Sequence, residues 1–200
     1  MKAFGLTGNI GCGKSTVASL LSKYADLVIL DCDLIAKEII NDRNHRQEIN
    51  TILCTEVFKG ETADFKLIAK IIFGDSLKKE SLEKLIHPLV WKIVKEKVEE
   101  TGNQKISIVE SAIIYETKSQ SKFSGIIVAT CNLTEQFRRL RQNRNMEETQ
   151  IKARLGEQLP SDRKEALAQF IVKTDCNLDE LESRVSKLYS HLRQEKERVS

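Results

Sequence analysis

The sequence predicts an α/β protein in which a five-stranded parallel sheet is flanked by helices. Three observations carry that expectation. Short apolar runs alternate with stretches of helical periodicity along the chain, the order that builds strand–helix–strand crossovers. The first run feeds a glycine-rich loop that opens a helix. Acidic residues close the second and third runs, and the carboxyl edge of a parallel sheet is where ligands collect.

The first strand is Lys2–Thr7, and Gly8-Asn9-Ile10-Gly11-Cys12-Gly13-Lys14-Ser15 follows it. That stretch meets the P-loop pattern G-x-x-x-x-G-K-[S/T] at every fixed position. Small residues let successive backbone N–H groups curl around a polyphosphate, and the next helix aims its positive end there. Val17, Leu20, Leu21 and Tyr24 supply the helical spacing. The expected fold class is therefore of the P-loop NTPase, nucleotide-kinase-like type.

Leu27–Leu30 is a buried-strand run ending at Asp31-Cys32-Asp33, and a helix with Ile35, Ile39 and Ile40 on one side comes next. The pattern stays helical and charged from Arg43 to about Gly60. Lys66–Phe73 is an apolar-rich helix stopped by Gly74. Ser76–Thr101 is helical throughout, but Pro88 lies inside it and is expected to kink or split it. Ile106–Glu110 and Ile126–Thr130 are strands, and Thr134 is the expected N-cap of a helix through Arg144. Helices over Glu147–Gln158 and Ser161–Gln169 lead to a last strand, Phe170–Lys173. Asn177, with Glu180 three residues on, opens a final helix whose stripe is Leu178, Leu181, Val185, Leu188 and Leu192.

The chemistry gathers where these elements end. Lys14 would reach the β- and γ-phosphates of ATP, and the Ser15 hydroxyl would ligate Mg²⁺. A phosphate-facing lysine contributes little to a core, so Lys14→Ala is expected to leave stability nearly unchanged. Asp33 would accept or orient the proton of an attacking hydroxyl, its bland alternative being a helix cap. Asp31 would bind Mg²⁺ through water. Glu110 stands where a Walker-B acid would, and can also be a mere strand-end cap. Arg138 to Arg144 holds four arginines and no acid. It can form a solvated face, a nucleic-acid patch, or a lid whose arginines close over the ATP phosphates. Glu135, Glu147, Glu148 and Glu157 nearby would repel a phosphate backbone, which favours the lid, with Arg154 joining it. Trp91 and His87 belong to a helical core, unless His87-Pro88 at a helix break faces a substrate.

Composition narrows the class. Two hundred residues, 40% of them hydrophobic, make one domain with a real core. A net charge of +3 is too weak to imply a nucleic-acid protein. No uncharged apolar run approaches the ~20 residues that span a bilayer. Strand one begins at once, which leaves no room for a signal peptide. Five scattered cysteines, without a C-x-x-C pair, and three histidines without ligand spacing argue for free thiols and against a zinc site. A cytoplasmic protein is expected, with no nucleic-acid or membrane partner. A guanine-nucleotide switch would share the loop, but the chain has no Asn-Lys-x-Asp motif.

Over nearly its whole length the chain resembles the dephospho-CoA kinases. Gly5 to Ala18 is close to that family's opening, with Thr16 following the loop. Leu30 to Ala36 resembles its D-x-D segment, whose second aspartate, here Asp33, is taken to activate the acceptor hydroxyl. Ile72-Phe73 and Leu82 to Pro88 are similar to its acceptor-binding side, which includes His87 and Pro88. Glu110 to Glu116 lies on its strand-three motif. Gln136, Arg139-Leu140, Arg144, Arg154 and Gln158 fall on its lid pattern. The resemblance implies transfer of the ATP γ-phosphate to the ribose 3′-hydroxyl of dephospho-CoA, with Mg²⁺. Gly8 to Thr16, Arg139, Arg144 and Arg154 would hold ATP, with Asp33, Lys14 and Arg144 catalytic and Ser15, Asp31 and Glu110 on the metal. It also implies one domain, 1–200, with a helical acceptor-binding subdomain over 63–101 and a lid over 138–168. Another small-molecule P-loop kinase is the nearest rival. The chain departs from the family at Asn9 (usually glycine), Ala112 (proline), Phe65 (arginine), and Gln169, Thr174 and Cys176 (Asp, Asn, Gly). Asn9 is expected to be tolerated because asparagine can adopt a left-handed backbone.

Overall fold

The computed structural model describes residues 1–199 and builds the expected sheet. β1 (Ala3–Thr7) leads through the glycine-rich loop into α1 (Lys14–Leu21), and β2 (Leu27–Asp31) follows. Next come α2 (Cys32–Asn41), α3 (Arg46–Leu53), a small hairpin of β3 (Phe58–Lys59) and β4 (Thr62–Ala63), α4 (Phe65–Gly74) and α5 (Ser76–Thr101). The second half runs β5 (Ile106–Glu110), β6 (Gly125–Thr130), α6 (Leu133–Arg144), α7 (Glu148–Gly156), α8 (Ser161–Leu167), β7 (Phe170–Lys173) and α9 (Leu178–Val199). Five strands form one parallel sheet in the order β2-β5-β1-β6-β7.

Every residue of β1, β5 and β6 is buried, as strands covered on both faces must be. Alternation along β1 sends Phe4 and Leu6 into a core shared with Val17, Leu21, Val185, Leu188 and Leu192 of α1 and α9. The opposite face is filled by Ile114, Tyr115, Ile126 and Val128, with Leu159 and Ala168 against them. α8 packs on this side through β6.

The chain divides into two compact units. Met1–Asp31 together with Val98 onward carries the sheet and the glycine-rich loop. Cys32–Lys97 is a helical unit that includes the β3–β4 hairpin.

Four expectations are corrected. The helical stretch from Arg43 to about Gly60 is not continuous: α3 stops at Leu53, where Cys54 turns left-handed, and the hairpin follows with Gly60 at φ 63°. Ile49, Leu53 and Val57 are all buried at four-residue spacing, so the helical period persists in sequence past the point where the helix has ended. Pro88 does not split α5. Leu82, Ile86, Val90, Val94 and Val98 form one buried stripe through it, while Pro88 itself is exposed. The ring thus lies on the solvent side, where water can satisfy the carbonyl it frees, and packing outweighs its cost of about 3 kcal/mol. Asn132, not Thr134, caps α6, its Oδ1 accepting from the Glu135 N–H at 2.8 Å. Finally, Asn9 is not left-handed; among the described residues only Cys54, Lys118 and Asn145 are non-glycine positions with positive φ.

Candidate active site

The loop between β1 and α1 is shaped from outside by side chains that seize its carbonyls. Gln136 Nε2 donates to Ile10 O at 2.6 Å, and Thr174 Oγ1 donates to Cys12 O at 2.8 Å. Two glycines are required by sterics. Gly8 has φ 155°, and a Cβ there would lie 2.3 Å from the Ala129 carbonyl oxygen. Gly13 is left-handed at φ 77° and N-caps α1 without any side-chain hydrogen bond. The Thr16 N–H turns back to Gly13 O at 3.0 Å, and the N–H groups of Lys14 and Ser15, at positions with no partner inside the helix and no side-chain cap, suit an anion.

Lys14 and Ser15 begin α1, and both meet Glu110, the last residue of β5. Glu110 Oε1 accepts from Lys14 Nζ at 2.7 Å and from Ser15 Oγ at 3.1 Å. The pair is enclosed: the Lys14 side chain is 13% exposed and that of Glu110 5%. Asp31, at the end of β2, stands opposite Glu110 in the sheet register. Ser15, Glu110 and Asp31 are all oxygen donors, the kind that suit Mg²⁺. That ion normally takes one or two protein oxygens and fills its remaining positions with substrate phosphate and water. The set fits such an ion, and no group of three or more acidic, histidine or cysteine side chains able to hold a metal occurs among the described residues.

Arg139, on α6, is fastened beside the loop. Its Nη1 donates to Thr174 Oγ1 at 2.9 Å, its Nη2 to Thr174 O at 2.6 Å and its Nε to Glu135 at 2.7 Å. Arg138 also grips Glu135 at 2.6 Å. Arg138 foremost, then Arg139, hold the Glu135 carboxyl at about 2, below its ordinary 4.5. A depressed carboxylate pKa means stability present above the ordinary value and lost as pH falls through the folded one. Acid-side melting curves are thus expected to show Glu135 lowering stability between about pH 4.5 and 2. Glu135→Gln should flatten that decline; an unchanged pH dependence of melting would contradict it.

The 138–168 segment is rooted at both ends on the loop. Leu140 packs against Gly11, and Gln158 Oε1 accepts from the Ile10 N–H at 2.9 Å. Between these roots, Arg144 closes α6 and Arg154 lies on α7, both exposed. Arg141 pairs with Glu148 at 2.6 Å. Cys12 is fully buried, and a hydrogen bond from the Cys131 thiol brings it down to about 7, while the same contact and burial push Cys131 up.

In the helical unit, Asp33 is exposed in the first turn of α2, two residues beyond the end of β2. His87 and Trp91 are half-buried on α5, and Pro88 is exposed beside His87 on an unbroken helix. The structure thus gathers Gly8 to Thr16, Asp31, Glu110 and Arg139 in the sheet unit, and carries Asp33, His87 and Pro88 in the other.

Two polar residues have roles that the sequence does not assign, Thr174 entering it only as a departure from the family pattern and Lys164 not at all. Thr174 is 1% exposed and ties Arg139 to the loop; its place just past the last strand is a signal the carboxyl-edge rule supplies. Lys164 on α8 is completely buried, and nothing in its local sequence separates it from a solvated lysine.

With this geometry in view, comparisons identify the family. The model for dephospho-CoA kinase matches residues 2–180. The dephospho-CoA kinase of Bdellovibrio bacteriovorus is 30% identical over 96% of each chain. That of Lactobacillus acidophilus is 28% identical, over 95% of this chain and 96% of its own. A crystal structure from Thermus thermophilus, 26% identical, superposes with a TM-score of 0.82 over 95% of this chain and 97% of that one. A loop built for polyphosphate, an acid on its lysine and a family match spanning both units agree: the chain belongs to the dephospho-CoA kinase family.

Proposed function

We infer that this kinase transfers the γ-phosphate of ATP to the ribose 3′-hydroxyl of dephospho-CoA, giving ADP and CoA. The observation that carries the reading is the Lys14–Glu110–Ser15 cluster at the open N-terminus of α1, within a chain matched by the family from residue 2 to 180. ATP would lie on Gly8 to Thr16, and its phosphates would compete with Glu110 for the Lys14 ammonium. Arg139 would border the nucleotide, while Arg144 and Arg154 would meet charge that develops on the phosphates. Ser15 would hold Mg²⁺, with Glu110 and Asp31 joined through water. The metal would supply charge neutralisation at the β- and γ-phosphates.

Asp33 would take the acceptor's proton, and His87 and Pro88 would border the acceptor on the helical subdomain, 63–101. The 138–168 segment would act as the lid. The enzyme would work in the cytoplasm on small-molecule substrates, without a nucleic-acid or membrane partner; no helix among the described residues is long and apolar enough to cross a membrane.

A coupled assay of ADP release tests the acceptor. Dephospho-CoA is expected to be used in preference to nucleoside monophosphates, shikimate and gluconate, with phosphate appearing at the 3′ position. A better turnover of any of those competitors would overturn the reading.

A further inference from the structure

The buried ammonium of Lys164 has no part in the site as described so far. It sits on the face of the sheet opposite α1, where a charge is tolerated only if paired and hydrogen-bonded. Lys164 Nζ donates to Ala112 O at 3.0 Å and to Glu116 Oε1 at 2.9 Å. The same Glu116 oxygen accepts from the Leu159 N–H at 2.8 Å. Leu159 in turn offers its carbonyl to Asn9 Nδ2 at 3.2 Å, and its neighbour Gln158 holds the Ile10 N–H. A continuous polar chain therefore runs from Lys164 through Glu116 and Leu159 into the phosphate-binding loop. Burial lowers the Lys164 pKa, opposed by Glu116.

We propose that Lys164 is a positioning residue for ATP: acting through Glu116 and Leu159, it fixes Asn9 and with it the curvature of the glycine-rich loop. The proposal rests on the kinase reading and deepens it. The geometry gives the Asn9 side chain a role in that polar chain. The Asn9 backbone needs no left-handed turn, and the residue is only 6% exposed. Asparagine there contributes a side-chain amide that glycine lacks, and that amide donates to the carbonyl of Leu159, the residue whose N–H Glu116 accepts. A loop so braced presents its N–H groups in one arrangement before ATP arrives, which lowers the ordering cost of binding.

The test separates positioning from packing. Lys164→Met alone would strand a carboxylate, so the informative variant is Lys164→Met/Glu116→Gln, which removes both charges together and is the substitution a fold tolerates best. It is compared with Asn9→Gly and with the triple variant. Each of the first two should raise KM for ATP roughly 3- to 10-fold, the worth of one hydrogen bond, with KM for dephospho-CoA unchanged and a near-native melting temperature. The triple variant should be no worse than either parent, because one chain can be broken only once. A native KM for ATP in the folded double variant, or additive losses in the triple, would overturn the proposal. If the double variant does not fold, Asn9→Gly alone decides: raised KM supports the brace and native KM refutes it. Should the wild-type chain not turn over dephospho-CoA, the kinase reading fails, while calorimetric ATP affinity of the same variants still tests the brace.

Discussion

Lys14→Ala is expected to cut kcat/KM by roughly 10³-fold or more, the scale on which a cation facing a transferring phosphoryl group acts. It is also expected to destabilise the fold, contrary to what the sequence suggests for a phosphate-facing lysine. The reason is Glu110. Its side chain is 5% exposed and gains its ammonium partner from Lys14 at 2.7 Å. Deleting the lysine leaves that enclosed carboxylate with the Ser15 hydroxyl, and breaking a buried pair from one side costs about 3 kcal/mol. Two measurements keep these effects apart. Thermal melting should fall for Lys14→Ala and recover in Lys14→Ala/Glu110→Gln, because the amide needs no countercharge. Turnover should stay lost in both. Substantial turnover by either folded variant would remove Lys14 from the ATP site.

That contrast marks where the sequence is legible. The sheet, its five strands and the loop after β1 could be read because each follows from a short-range rule: apolar runs, helical period, glycine spacing. The carboxyl-edge rule likewise puts Glu110 and Asp31 at the edge that carries the loop, and the sheet register sets the two side by side. What stayed hidden depends on partners far apart in sequence. Lys164 meets Glu116 forty-eight positions away, and Thr174 reaches Cys12 across an interval of 162. Local pattern misled where tertiary packing overrode it. The period through Ile49, Leu53 and Val57 survives the end of α3 at Cys54, and Pro88 is absorbed by a helix whose buried stripe runs on the other side. Asn132 won the cap of α6 from Thr134 by two residues, within the usual uncertainty of helix ends.

Asp33→Asn carries the other large expected effect, and it bears on chemistry alone. Asp33 is exposed in the first turn of α2, where a carboxylate interacts favourably with the helix terminus, so the amide, of the same shape, is expected to leave the fold intact. Catalysis is a different matter. If Asp33 takes the proton of the acceptor hydroxyl, asparagine cannot, and kcat should fall about 10²- to 10⁴-fold. The glycine-rich loop, Lys14, Ser15 and Glu110 belong to the other unit and keep their residues in this variant, so ATP affinity measured by calorimetry should stay close to native. Loss of kcat with intact ATP binding and melting is the pattern of an interaction made in the transition state and not in the ground state. A stabilising cap would give the reverse: lowered melting with kcat preserved. Near-normal kcat in Asp33→Asn would therefore return Asp33 to the role of a helix cap and leave the acceptor's proton to another group.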